Sequence, residues 1–168
     1  MNSLTDKYTL INSVEVPCIA FGTWKMPEEI AANAVKCAIE SGYRHIDAAA
    51  AYQNEEYVGK GIRESGVKRE EIFLVSKLPN DDHGYQNAID SCERSLKRLK
   101  TDYLDSYLIH WPVLVENVDR LDDDLCETWR AFEKLYNDGK LRSIGTSNFL
   151  EEHIEIIKKN FSTYPMIN

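Results

Sequence analysis

The sequence predicts an α/β fold of parallel strands, and among such folds it favours a (β/α) barrel over an open doubly wound sheet. Three observations carry that expectation. Short apolar runs alternate with amphipathic helical segments five times along the chain, and such alternation joins parallel strands through right-handed crossovers. The exits of those apolar runs carry Asp47, Lys77, His110 and the Ser147-Asn148 pair at intervals of 30, 33 and 37 residues. Each interval holds a strand, a helix and two loops, and polar groups delivered at the C-terminal ends of parallel strands converge on the face where barrels keep their active sites. Finally, the first strand ends Phe21-Gly22-Thr23-Trp24 with neither GxGxxG nor a P-loop, the turns that open most nucleotide-binding doubly wound sheets. Periodicity alone leaves both sheet types open.

Taken in order, Tyr8-Thr9-Leu10 and Val14-Glu15-Val16 read as two short strands around an Asn12-Ser13 turn. Cys18-Ile19-Ala20-Phe21, closed by Gly22, reads as the first buried strand. Ala31, Val35, Ala38 and Ile39 form the apolar face of a first helix between Pro27 and Gly42. A strand at Arg44–Asp47 precedes a second helix from near Asn54 to Gly66, within which Gly59 and Gly61 each cost about 1 kcal/mol relative to Ala. Ile72–Lys77 is the third strand. Ile89, Cys92, Leu96 and Leu99 mark the third helix, with Asn80, Asp81 and Asp82 as candidate caps. After Tyr107–His110, the fourth helix shows Leu125, Trp129, Phe132 and Tyr136 and ends at Gly139. Its Asp122-Asp123-Asp124 run reads as a helix start, not a metal site. Ser143–Ser147 is the fifth strand. The fifth helix carries Leu150, Ile154, Ile157 and Phe161, with Glu151-Glu152 in its first turn and Lys158-Lys159 in its last.

Composition narrows the function classes. A formal net charge of −8 and the lack of a basic stripe argue against a nucleic-acid partner. The densest basic cluster, Arg94 to Lys100, sits at a helix end, where it complements the dipole. No apolar run approaches the ~18 residues of a membrane span. The opening Met1–Lys7 segment has no basic stretch followed by an apolar one, which gives a cytoplasmic expectation. Cys18, Cys37, Cys92 and Cys126 are widely spaced, so they read as small buried apolar residues without a zinc or disulfide framework.

Each strand-exit residue has an ordinary reading alone: a snorkelling lysine at 77, a turn aspartate at 47, an interfacial tyrosine at 52, a core histidine at 110. Together they compose a different chemistry. Lys77 shares a strand face with Phe73 and Val75, and a desolvated ammonium needs a partner. Asp47, one repeat earlier, is placed to supply it. A lysine ammonium a few ångströms from a phenol stabilises the phenolate, so Tyr52 can donate a proton to an oxygen becoming an alkoxide. His110 can hydrogen-bond and orient a carbonyl. No HExxH or His-carboxylate ligand spacing accompanies it, so no metal is expected.

The segments Gly22-Thr23-Trp24, His45-Ile46-Asp47 with Ala49 and Tyr52, Asn54-Glu55-Glu56, Ser76-Lys77-Leu78, Asp82-His83-Gly84-Tyr85, Leu108-Ile109-His110-Trp111-Pro112 and Ile144-Gly145-Thr146-Ser147-Asn148-Phe149 resemble the aldo-keto reductases. The likeness is greatest to the bacterial diketogluconate reductase and glyoxal reductase branch, and it runs from about Tyr8 to Asn168. It implies NADPH-dependent reduction of aldehydes or ketones. Tyr52 would be the general acid, Lys77 the charge that eases its ionisation, Asp47 the counter-charge of the lysine, and His110 the carbonyl-orienting donor. Ser147 and Asn148 would hold the nicotinamide carboxamide, Gly22, Thr23 and Trp24 would border the cofactor and substrate cleft, and Trp111 would line the substrate pocket. Where this family often has Trp after the Lys-Leu of the third strand, Pro79 stands here, which alters one pocket wall.

A complete barrel takes ~250 residues, and this chain has 168. The expected architecture is therefore an incomplete (β/α)₈ TIM barrel: an N-terminal hairpin, about five βα units and a sixth strand, one partial domain over residues 1–168. The resemblance places strands seven and eight, and the basic segment that grips the NADPH 2′-phosphate, beyond these residues. Weak NADPH binding, slow aldehyde reduction and self-association through unclosed edges follow as expectations. Two other readings fit the residues: a non-catalytic partial barrel serving as an interaction module or inactive fragment, and a Schiff-base lyase with Lys77 as nucleophile.

Overall fold

The computed structural model describes residues 4, 6–112 and 121–168; most of the opening segment considered above for a leader lies outside the described residues. A hairpin comes first, β1 (Lys7–Thr9) antiparallel to β2 (Glu15–Pro17) with Tyr8 opposite Val16. Its turn is closed by Val14 N donating to Asn12 Oδ1 at 3.3 Å. Five strands then form one parallel sheet: β3 (Phe21–Gly22), β4 (His45–Asp47), β5 (Phe73–Leu78), β6 (Ser106–Ile109) and β7 (Ile144–Thr146). Each is followed by a helix: α1 (Glu28–Glu40), α2 (Glu55–Glu64), α3 (Tyr85–Leu99), α4 (Leu121–Asn137) and α5 (Glu151–Asn160).

Strand order in the sheet equals chain order, β3-β4-β5-β6-β7. A doubly wound sheet reverses direction at a switch point, and this one does not, so the described elements are part of a barrel wall. The expected sixth strand is present as a hydrogen-bonded stretch that falls short of an assigned strand. Met166 N donates to Ile144 O and Thr146 N to Ile167 O, each at 2.9 Å. Gly145 permits that approach, since a Cβ there would lie 2.4 Å from Ile167 O.

Alternation along the strands divides the apolar residues between two faces. The outer face contributes Leu74, Leu78, Tyr107, Ile109 and Ile144 to the main core, where they meet Val35, Ile39, Val58, Leu96, Trp129 and Phe132 from the helices. Each fully buried aliphatic side chain there stabilises the fold by about 1.5–3 kcal/mol. The inner face is smaller: Phe73, Val75 and Leu108 pack with Val16 of the hairpin, which thus covers part of the barrel interior.

Several local expectations are corrected. The first strand is only Phe21–Gly22, because Cys18 hydrogen-bonds back to Asp6 O as the chain leaves the hairpin. Asn80, Asp81 and Asp82 form a short 3₁₀ turn of their own, and the N-cap of α3 is Gly84, whose N–H donates to Thr128 Oγ1 at 2.8 Å. Leu150 is not on the apolar face of α5. It is 62% exposed at the N-cap, and its N–H donates to His153 Nδ1. Of the cysteines, only Cys92 is fully buried, Cys37 is exposed, and all four are free.

Gly59 and Gly61 prove to be packing requirements. A Cβ on Gly59 would stand 2.2 Å from Leu99 O of α3, and one on Gly61 would stand 2.4 Å from Ala32 O of α1. The lost helix propensity is offset by the close seating of α2 between its neighbours. Gly59→Ala is therefore expected to destabilise the fold by about 1–3 kcal/mol through overpacking, read as a lower urea midpoint. A midpoint raised by the ~1 kcal/mol that alanine gains in helix propensity would contradict the packing argument.

Candidate active site

The ladder between β4 and β5 places Asp47 opposite Val75, so Lys77 stands one pleat further along β5. Its side chain is on the inner face and only 5% of the residue is exposed. The four-carbon stem reaches back across the strand exit to three acceptors. Nζ donates to Asp47 Oδ1 at 2.6 Å and to Ala48 O at 2.9 Å, and lies 3.4 Å from Tyr52 Oη. The desolvation cost of the ammonium is thereby offset by one full charge and two dipoles.

Tyr52 ends a 3₁₀ turn, Ala50–Tyr52, that leaves β4. Its N–H donates to Ala49 O, and Gln53 follows in the left-handed region at φ +58°. The turn brings the ring within 5.1 Å of Lys77 Nζ and into edge contact with His110, with centroids 5.7 Å apart and planes at 74°. His110, just past β6, is half-buried. Burial lowers its pKa below the ordinary 6.5, the Lys77 charge adds to that, and Asp47 opposes it. Above that pH the ring is a neutral imidazole. A phenol O–H and an imidazole N–H side by side can both reach one acceptor oxygen, while the ammonium behind the phenol stabilises negative charge on it.

The Ser147-Asn148 pair follows β7 and is bound to the same cluster through backbone. Asn148, at φ +62°, donates from Nδ2 to His110 O at 2.9 Å and to Ser147 Oγ at 3.0 Å. Behind it, Asn168 grips Phe149: Nδ2 donates to Phe149 O at 3.1 Å and Oδ1 accepts from Thr146 Oγ1 at 3.0 Å. On the other side, Gly22 pairs with Asp47 in the sheet and faces open space. Thr23 is fully buried, with both its N–H and its hydroxyl donated to Asp47 O. Through these two bonds it supports Asp47 from behind. Trp24 (66% exposed) and Trp111 (48% exposed) stand at the exits of β3 and β6, outside the hydrogen-bonded cluster.

A groove of about 540 Å³ runs along the inner face from Val16 past Gly22 and Asp47 to Asn168. A larger one, about 640 Å³, lies at the opposite ends of the strands beside Arg44, Asp105 and Arg142, away from Lys77 and Tyr52.

Residue-by-residue reading missed Asn54 and Glu55. Asn54 is buried and donates to Thr23 O at 2.8 Å and Met26 O at 3.1 Å, fastening the start of α2 to the loop after β3. Glu55 is 1% exposed and accepts from Ser76, Ser95 and Arg98. The signal was present: Glu55, Val58, Gly59 and Ile62 share the inward face of α2, and an acid at such a position must be buried and paired. Arg98, read above as complementing a helix end, is that partner.

The comparisons with known proteins agree with this geometry. The aldo/keto reductase family model matches residues 18–168. The chain is 50% identical over 167 residues to a glyoxal reductase of Bacillus subtilis, covering 99% of this chain and 58% of that protein. It is 46% identical to a 9,11-endoperoxide prostaglandin H2 reductase of Trypanosoma cruzi, covering 100% and 57%. A crystal structure of an aldo/keto reductase from Brucella melitensis superposes with a TM-score of 0.92 at 42% identity, over 100% of this chain and 62% of that one. A Bombyx mori aldo-keto reductase in complex with NADP gives a TM-score of 0.87 at 38% identity, over 98% and 57%. The chain thus spans a little under three-fifths of the curated relatives it matches, and it belongs to the aldo/keto reductase family.

Proposed function

We propose that this site reduces an aldehyde or ketone to an alcohol, with NADPH as the electron donor. The observation that carries the reading is the buried Lys77 ammonium, paired with Asp47 and in contact with the Tyr52 hydroxyl. A phenol so placed can give its proton to an oxygen on which negative charge builds, with a cation beside it during the transfer. The relatives named as a glyoxal reductase and a prostaglandin endoperoxide reductase support a small organic oxygen-containing substrate. The related structure holding NADP supports the cofactor.

The residues present fit the nicotinamide end of such a cofactor. Asn148 directs its amide nitrogen to His110 O and Ser147 Oγ, which leaves Oδ1 as an acceptor for a carboxamide N–H, beside the Ser147 hydroxyl. Gly22, with open space where a Cβ would project, leaves room along the groove. When bound, NADPH supplies the hydride that reaches the carbonyl carbon. The neutral His110 imidazole donates to the carbonyl oxygen and orients it. Tyr52 gives its proton to that oxygen as charge builds there, Lys77 holds the resulting phenolate, and Asp47 keeps the lysine charged. Trp24 and Trp111 form apolar walls at the cleft mouth.

The lyase reading fares less well beside this geometry. A Schiff-base nucleophile must be a free amine, whereas Lys77 Nζ is buried and donates to Asp47 and Ala48 O. Borohydride in the presence of an aldehyde is expected to leave Lys77 unmodified, and a trapped adduct there would revive that reading.

Tyr52→Phe is expected to lower NADPH-dependent carbonyl reduction by about 10²–10⁴-fold, the usual contribution of a positioned acid, with folding preserved by circular dichroism. Retention of activity in Tyr52→Phe would remove the phenol from the mechanism. These 168 residues carry the nicotinamide-facing turn but not the basic segment that the resemblance places further along, so nicotinamide fluorescence titration is expected to show weak binding. Saturation at micromolar NADPH would contradict it. For His110, the proton NMR titration midpoint should fall below the ordinary 6.5. The unfolded state then binds the extra proton first, so the His110 contribution to stability is complete above pH 6.5 and declines as the pH falls through that value. A midpoint at or above 6.5 would mean that the ring is charged more readily than its burial allows.

A further inference from the structure

We propose that Glu55 is the positioning residue that sets the contact between Lys77 and Tyr52, acting through Ser76. This inference rests on the carbonyl-reductase reading of the site and adds a residue to it that touches none of the reacting groups.

Glu55 is the first residue of α2, and its carboxylate lies inside the fold where three elements meet. The two oxygens divide their partners. Oε1 accepts from Ser76 Oγ of β5 at 2.5 Å. Oε2 accepts from Ser95 Oγ of α3 at 3.2 Å and from Arg98 Nε at 2.7 Å, with Arg98 Nη2 at 2.6 Å. A buried carboxylate with donors on both oxygens is compensated, and its place at a helix N-terminus favours the charge further. Compensation explains why the residue is tolerated. The arrangement of the partners says what it does.

Ser76 is the chain neighbour of Lys77, and Glu55 comes three residues after Tyr52. These links close a ring. The chain runs from Tyr52 through Gln53 and Asn54 to Glu55, a hydrogen bond crosses to Ser76, the chain steps to Lys77, and Nζ returns to Tyr52 Oη at 3.4 Å. That last contact is the longest polar contact in the ring. Asp47 Oδ1 and Ala48 O hold Nζ from the β4 side, and on the helix side the placing of the Tyr52 turn against β5 falls to Glu55–Ser76. Asn54 restrains the same turn from the β3 side through Thr23 O and Met26 O, but it has no bond to β5. Glu55 alone, among the described contacts of the ring, ties the turn carrying Tyr52 to the strand carrying Lys77 from the helix side. A glutamate suits the task because both oxygens accept. A glutamine has one acceptor for the two sets of donors, and an aspartate is a methylene short.

The two-branched geometry separates positioning from stability. Ser76→Ala cuts the branch to β5 and leaves the Arg98–Ser95 branch intact. In this chain, Ser76→Ala is expected to lower kcat at least about tenfold, since small misplacements of reacting groups are costly. KM for the carbonyl and for NADPH should stay within about twofold. Amide hydrogen exchange should accelerate within residues 48–55 and 76–78 and not elsewhere. Glu55→Gln should give the same local pattern, and if that variant does not fold, Ser76→Ala decides. An unchanged kcat in folded Ser76→Ala overturns the proposal. So does a fall in kcat accompanied by exchange that quickens uniformly along the chain, because that marks a purely structural role. Should the parent chain show no NADPH-dependent turnover, the carbonyl-reductase reading fails by itself. The exchange pattern then judges the positioning role alone: confined acceleration supports it, and uniform or absent acceleration overturns it.

Discussion

One cation in the interior constrains the site more than any other group. Lys77 is nearly inaccessible, and its three acceptors, Asp47 Oδ1, Ala48 O and Tyr52 Oη, all come from the six residues that leave β4. Removing one partner of such a buried pair costs about 3–5 kcal/mol, because the remaining charge stays desolvated. The register of β5 on β4 is therefore bound to the chemistry. A slip of one residue would send Lys77 to the outer face among Leu74 and Leu78 and leave Asp47 facing apolar groups. The same pairing that completes the fold delivers the ammonium to the phenol.

Two buried carboxylates hold the two ends of this arrangement. At the strand starts, Asp105 accepts from Leu74 N at 3.0 Å and is paired with Arg69 at 2.8 Å and Arg142 at 2.7 Å. It thereby ties the beginnings of β5, β6 and β7 into one plane. At the strand ends, Glu55 ties α2, β5 and α3. Between them lies the apolar wall of Leu74, Tyr107, Ile109 and Ile144 against the helices. A parallel sheet clamped at the bottom and braced at the top varies little in height from strand to strand. Side chains leaving adjacent strands can then meet to within a few tenths of an ångström. This division follows the general rule for barrels, in which the N-terminal face serves stability and the C-terminal face serves reactivity.

What could be read from the sequence was whatever has a period or a position relative to a strand end. Strand-helix alternation located all five βα units, and the strand exits located Asp47, Lys77, His110 and the Ser147-Asn148 pair. What could not be read depends on neighbours distant in sequence. Gly59 looks like a weak point in a helix until Leu99 O, forty residues away, is brought against it. Asn80 to Asp82 look like helix caps, yet the α3 N-terminus is satisfied from α4 by Thr128. Leu150 fits a helical period but falls outside the helix that the period defines. For the glycine and the cap residues a tertiary partner outweighed a local preference of about 1 kcal/mol or less, whereas Leu150 is bonded within the first turn of its own helix.

The backbone at the site shows how such precision is kept without glycine. Gln53 and Asn148 both lie in the left-handed region, at φ +58° and +62°, a conformation that costs a non-glycine residue roughly 1–2 kcal/mol. Glycine at either position would remove that cost, but it would also free the turns that aim Tyr52 and carry Ser147. The fold supplies side-chain amides instead. Asn54, next to Gln53, is bonded to Thr23 O and Met26 O, and Asn148 is bonded to His110 O. Each amide binds a carbonyl from a neighbouring strand exit, so the strained residue at one exit is stabilised by the backbone of the next. Strain at functional sites persists only where surrounding structure over-determines it, and here the surrounding structure is the set of strand exits itself. The Tyr52 phenol, the Lys77 ammonium and the His110 imidazole are thus carried on strand exits that are bonded to one another through these carbonyl contacts.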